Sequence, residues 1–168
     1  MRAAPVLIAA LLLAACAPAV SQGGAAPAGL SGSLAQPSAL TLEAVSALPA
    51  KTVSLEYTVA GQATKHSFTG ALLIDVLKAA RPSFRPEIKN DSLRYSVLAT
   101  GRDGYSALFS WGELDPDFGN RGVLIAYAQD GQPLSAADGP LRLVVPGDGK
   151  GGRYVSGLAS VQLLRVGP

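Results

Sequence analysis

From Thr52 to Val59 the chain alternates with a period of two: Val53, Leu55, Tyr57 and Val59 fall on one side, and Thr52, Ser54, Glu56 and Thr58 on the other. That spacing predicts a half-buried strand. Ala60-Gly61-Gln62 then turns the chain back into a second strand ending near Phe68. Gly70 is expected to open a helix, because Leu73, Val76, Leu77 and Ala80 share one face at helical spacing while Asp75 and Lys78 face out, and Arg81-Pro82 ends it. Upstream, Thr41 is placed to cap a short helix over Leu42 to Leu48, which Pro49 stops. Downstream, Leu93, Tyr95, Val97 and Ala99 alternate again, Gly101 to Gly104 make a turn, and Tyr105 to Phe109 form a short apolar segment. Ser110 and Glu113 have the S-x-x-E spacing of a capping box, which predicts a helical turn over Ser110 to Leu114. Val123 to Tyr127 reads as a continuous apolar strand followed by an Asp130-Gly131 turn, and Leu141 to Val145 and Gly157 to Val166 read as the last strands. Strands outnumber helices and do not alternate with them regularly, so the pattern predicts an α+β domain with a mixed β-sheet and a few short helices.

The amino-terminal pattern is different. Met1-Arg2 precedes an apolar run that reaches Ala15, and Cys16, the one cysteine, closes Leu13-Ala14-Ala15-Cys16. The run is too short for a spanning helix and has the layout of a signal peptide. Leu-Ala-Ala-Cys resembles the lipobox of bacterial lipoproteins, in which the cysteine becomes the acylated first residue of the mature chain. The alternative is an ordinary secretory signal cleaved nearby. From Ala17 to Thr41 there is no charged residue, and Ala, Gly, Ser and Pro dominate, which reads as a flexible tether. The expected organisation is therefore a signal peptide over 1–15, an acylated cysteine and tether over 16–39, and a single folded domain over 40–168. This implies a periplasmic protein lipid-anchored to a bacterial membrane. Ala17 stands where lipoproteins held at the inner membrane often carry aspartate, which favours the outer membrane by analogy.

Fourteen Lys and Arg against twelve Asp and Glu give a net charge of +2, too balanced for a nucleic-acid partner. With one cysteine no disulfide can form within the chain. Only ten residues are Phe, Tyr or Trp, so the core must come mainly from Val, Leu, Ile and Ala.

Candidate chemistry is sparse. Gly147, Gly149 and Gly152 satisfy G-x-G-x-x-G after the strand Leu141 to Val145, but no acidic residue and no helix-length segment follow, so a dinucleotide site is excluded. What remains is a glycine loop with two cations, Lys150 and Arg153, which is either an anion-holding nest or a solvated hairpin tip. His66 is the only histidine, so a metal site of the usual His or Cys cluster type is out of reach and no metal is expected. Its alternating segment leaves two roles open, a structural imidazole or a ligand contact.

Four stretches, in this order, resemble the molybdopterin-binding domain of the sulfite oxidase superfamily. They are Phe68-Thr69-Gly70 with the helix ending Asp75-Val76-Leu77, then Gly101 to Tyr105, then Val123 to Leu134, and then Gly139 to Gly147. The resemblance covers residues 40 to 166 and implies a sulfite-oxidase-like α+β fold with a pterin pocket between sheet and loops. In the family's enzymes a cysteine thiolate on the strand before F-x-G binds molybdenum. Here that strand carries Tyr57 and Thr58, and a phenol or hydroxyl does not replace the soft sulfur donor. The family's Lys-Trp pair after VVPG is matched by Tyr154-Val155. The chain is similar to an exported branch of this fold that binds reduced pterins without metal and passes the signal to a membrane-bound sensor. That resemblance implies a small heteroaromatic ligand, with Asp103, Tyr105, Trp111, Arg153 and Tyr154 as stacking and hydrogen-bonding candidates. His66 and Lys150 complete the set. Asp103-Gly104-Tyr105 can equally be a tight turn whose tyrosine plugs the core. A rival implication is a molybdopterin-dependent oxidoreductase with a ligand such as Tyr57 in place of cysteine.

Overall fold

A computed structural model describes residues 29–167, so the signal peptide, Cys16 and the first part of the expected tether lie outside the described residues. Strand β1 is Gly29–Gly32, helix α1 Leu42–Ser46, β2 Ala50–Val59, β3 Gln62–Leu72, α2 Leu73–Ala79, β4 Tyr95–Gly101, β5 Ser106–Ser110, α3 Trp111–Leu114, β6 Leu124–Gln129, β7 Gln132–Pro133, β8 Arg142–Val144 and β9 Leu158–Arg165. They form two sheets. One has the order β1-β9-β4-β5; the other runs β2-β3-β6-β7, with β8 also paired to β6.

The hairpin β2–β3 follows from its sequence. Ala60 and Gly61 both take positive φ, 49° and 82°, which is the two-residue turn whose twist suits antiparallel strands. It sets Leu55 opposite His66 and Tyr57 opposite Thr64. Both predicted caps are present: Thr41 Oγ1 accepts the Ala44 N–H at 3.1 Å, and Ser110 Oγ accepts the Glu113 N–H at 3.1 Å. The core lies where the two sheets and α2 meet. Val97, Val161 and Leu163 from one sheet, Phe68, Leu124 and Leu143 from the other, and Leu73 and Leu77 from α2 are completely buried in one cluster.

Three expectations need correction. The fold begins at Gly29 and not near Leu40: β1 pairs in parallel with β9, Leu30 opposite Val161, and Leu30 and Leu34 are buried. Gly70 does not open a helix, because β3 continues through it to Leu72 while pairing with β6, and α2 starts only at Leu73. Leu93 is not in a strand; it sits exposed in a 3₁₀ turn over Asp91–Arg94.

Gly70 is fixed by close approach. A Cβ there would stand 2.1 Å from the Ile125 carbonyl oxygen, at the bulge where the β3–β6 register shifts. Gly70→Ala is therefore expected to destabilise the fold by about 2 kcal/mol or more, since backbone rather than a flexible side chain must yield. Urea denaturation followed by circular dichroism measures it.

Candidate functional site

Where β2, β3 and the loop after β8 meet, aromatic and charged side chains converge. Tyr57 and His66 sit diagonally across the β2–β3 ladder with ring centroids 6.5 Å apart, and Phe68, two residues on and on the same face, lies 6.1 Å from His66. Tyr154 enters from the carboxyl-terminal side and places its ring 4.7 Å from Tyr57. The Arg142 guanidinium lies 5.6 Å from the Phe68 ring and 5.9 Å from the Tyr154 ring, within cation–π range of both. It stands 3.3 Å from Asp138, and its Nε is buried without a hydrogen-bond partner.

The imidazole is oriented by the turn after β6. Asp130 Oδ2 lies 2.7 Å from His66 Nδ1, while Asp130 Oδ1 accepts the Ser67 N–H at 2.9 Å. Gln129 Nε2 is 3.1 Å from the same ring nitrogen. The Ser67 N–H, and after it the imidazole, hold the Asp130 carboxyl below its ordinary range. In the neutral tautomer that donates Nδ1–H to Asp130, Nε2 is an acceptor. At Asp138, burial raises the carboxyl's pKa, but the Ser156 hydroxyl and the Arg142 guanidinium outweigh it and the net direction is down.

The glycine loop covers Tyr57. A Cβ on Gly151 would meet the Tyr57 ring at 3.3 Å, and the Thr58 N–H donates to the Gly149 carbonyl at 3.2 Å. Arg153 anchors the loop. It makes two parallel hydrogen bonds to Asp148, both 2.8 Å, and a third of 2.7 Å to Glu113 on α3, with its guanidinium 5.2 Å from the Phe109 ring. These carboxylates raise the Arg153 pKa further, and in return Arg153 lowers that of Asp148. The Tyr105 hydroxyl donates to the Gly152 carbonyl and ties the β4–β5 turn to the same loop.

Of the residues singled out from sequence, the fold thus brings together Tyr57, His66 and Tyr154, joins Thr58 and Lys150 by backbone pairing at the glycine loop, and sets Tyr105 and Arg153 at the loop's margin. Lys150 is exposed and makes no ion pair among the described residues, whereas Arg153 is committed to two carboxylates and is not a free anion-binding cation. Trp111 is a core residue and not a stacking platform: it is 2% exposed, packs edge-on to Phe84 at 4.7 Å and donates its indole N–H to Asp115 at 2.7 Å. Asp103 accepts the Tyr105 N–H at 3.0 Å and is spent on the turn. Sequence reasoning passed over Gln129 and Asp130, which it saw only as a turn. The register of β3 against β6, which sets Phe68 opposite Gln129, is what brings them to His66.

The donor set does not fit a thiolate-bound molybdenum. The strand expected to carry the cysteine holds Tyr57, 4% exposed and packed on Tyr154, and Thr58, and the described residues contain no cysteine and no group of three His, Cys, Asp or Glu side chains able to hold a metal ion.

Two packed sheets with few short helices, closed by a VVPG loop over an aromatic cluster, define an α+β domain of sulfite-oxidase-like fold. The chain belongs to the oxidoreductase molybdopterin binding domain family, whose model matches residues 29–165. Among solved structures it is similar to the sulfane dehydrogenase SoxCD from Paracoccus pantotrophus, with a TM-score of 0.62 and 20% identity; the match covers 82% of this chain and 37% of that one. The chain thus spans little more than a third of that protein's chain. No curated protein matches it in sequence.

The Tyr154 phenol, 7% exposed with its hydroxyl 3.3 Å from the Val145 carbonyl, is pushed up to about 12 by burial and then by neighbouring Tyr57 and Asp148. Its neutral form is favoured in the fold while the unfolded chain ionises near pH 10, so stability falls as pH rises from 10 to about 12. Ultraviolet difference titration is expected to show a phenol ionising near pH 12 that Tyr154→Phe removes.

Proposed function

We propose that the domain binds a reduced pterin, or a heteroaromatic ring of the same size and polarity, without metal-based redox turnover. The observation that carries this reading is that no thiol follows Cys16 in a chain of molybdopterin-binding family, while the strand expected to bear one carries Thr58 and Tyr57, whose ring packs 4.7 Å from Tyr154. The aromatic rings would supply stacking surface, and His66 Nε2, the backbone amides of the glycine loop and Lys150 would supply donors and acceptors for the ring edge. Because Gly151 lies against Tyr57, entry of a ligand requires the loop to swing outward about its glycines.

The domain is proposed to work outside the cytoplasm on a lipid anchor at Cys16, as a ligand-sensing accessory of a membrane-bound sensor. The Leu-Ala-Ala-Cys run and the uncharged tether support that address. Radiolabelled palmitate is expected to label the full chain in its host and to be lost in Cys16→Ser; an unlabelled parent chain would remove the anchor from this reading.

Titration of the purified full chain with tetrahydrobiopterin, followed by calorimetry and intrinsic fluorescence, is expected to show saturable binding. Tyr154→Ala should weaken it by about tenfold, the loss of roughly 1.4 kcal/mol of stacking. No heat or fluorescence change up to high micromolar ligand, or stoichiometric molybdenum in protein purified from its own host, would overturn the proposal.

A further inference from the structure

The strand edges of the two sheets are treated unequally. On the five-stranded sheet, β2 carries Lys51 and Glu56 along its edge, and its far end is covered by the Gly149 carbonyl on the Thr58 N–H. Strand β7 is two residues long and contains Pro133. Strand β8 is closed by reciprocal bonds between Leu143 and Val155, 2.9 and 3.0 Å. On the four-stranded sheet, β1 is closed on its outer side by Leu30 and Ser38, which exchange N–H···O bonds of 2.7 and 3.2 Å. Charge, proline and covering chain are the usual ways of keeping an edge from pairing.

Strand β5 has none of them. Ser106-Ala107-Leu108-Phe109-Ser110 ends the order β1-β9-β4-β5 and carries no charge and no proline. The Gly101 N–H donates to the Tyr105 carbonyl at 2.9 Å, which fixes the parity of the β4–β5 ladder. Ala107 and Phe109 bond inward to β4, and Ser106 and Leu108 turn their N–H and C=O groups to the open side. Leu108 is 59% exposed, with Leu98 beside it across the ladder, and Leu164, 37% exposed, continues the apolar surface two strands away.

The segment is also close to palindromic about Leu108. Serine flanks it at both ends, and a small and a large apolar residue, Ala107 and Phe109, stand on either side. An antiparallel partner of the same sequence would set Leu108 opposite Leu108 and Ser106 opposite Ser110. That is the self-complementarity an isologous twofold contact requires.

We infer that β5 is a homodimerisation edge, where a second copy of this chain adds antiparallel about a twofold axis through Leu108 and joins two four-stranded sheets into one. The contact is small, one five-residue edge and its leucines, so it forms a weak dimer in dilute solution. It strengthens where copies are concentrated together. The inference concerns a surface separate from the Tyr57 cluster and stands whether or not a pterin binds there.

Disulfide trapping tests it. Across a hydrogen-bonded antiparallel pair the Cα atoms are about 5.5 Å apart, within reach of a disulfide. The full chain carrying Leu108→Cys, oxidised with copper-phenanthroline in host membranes, is expected to give about tenfold more linked dimer than Phe118→Cys, as the local concentration at the axis demands. Phe118 is similarly exposed, at 53%, and is outside β5, in the turn after α3; the parent chain sets the background from Cys16. Sedimentation of the purified full chain should show association that grows with concentration and is lost in Leu108→Lys, a charge added to an exposed position. Equal trapping at 108 and 118, or association unchanged by Leu108→Lys, would overturn the inference.

Discussion

Arg153 is held by two carboxylates from separate parts of the chain, and the arrangement around Tyr57 depends on that hold. Asp148 belongs to the loop after β8, on the five-stranded sheet, while Glu113 belongs to α3, which directly follows β5 of the four-stranded sheet. A guanidinium bonded to both at once ties the two sheets together at the mouth of the aromatic cluster, and its fork geometry permits little sliding. Phe109 beneath it supplies an apolar floor at 5.2 Å. Four glycines between Gly147 and Gly152 would leave the loop many conformations. The ion pairs, with the Tyr105 hydroxyl on Gly152, select the one in which Gly151 lies on Tyr57.

The fold keeps the F-x-G close approach, Gly70 against the Ile125 carbonyl, and the VVPG turn. The strand before F-x-G carries Thr58 and Tyr57, whose ring is buried against Tyr154. Sulfur donation to a metal is the one contribution that neither a phenol nor a hydroxyl imitates.

What could be read from the amino acids divides along physical lines. Local rules were legible: the period-two run of β2, the Ala60-Gly61 turn, and the caps at Thr41 and Ser110 depend on residues a few positions apart, and all are present. Strand β1 was not, because it is held by backbone bonds to β9, more than a hundred residues away, and an Ala, Gly and Ser composition carries no trace of them. Trp111 looked like a stacking surface because a lone tryptophan in a family of ring-binding domains invites that reading; its burial is set by Phe84, on a segment the alternation did not describe. The His66–Asp130 pair needs the register of β3 against β6, which no single window of sequence contains.

The parallel pairing of β1 with β9 also decides how the domain responds to force. A pull on the amino-terminal side enters the fold at Gly29 and runs along the β1 axis, so the rungs joining Leu30, Ser31 and Gly32 to β9 are loaded together in shear. Strands peeled one rung at a time separate easily; strands sheared side by side must break their hydrogen bonds at once. The amino-terminal approach to the domain is thus held through a strand that runs beside β9.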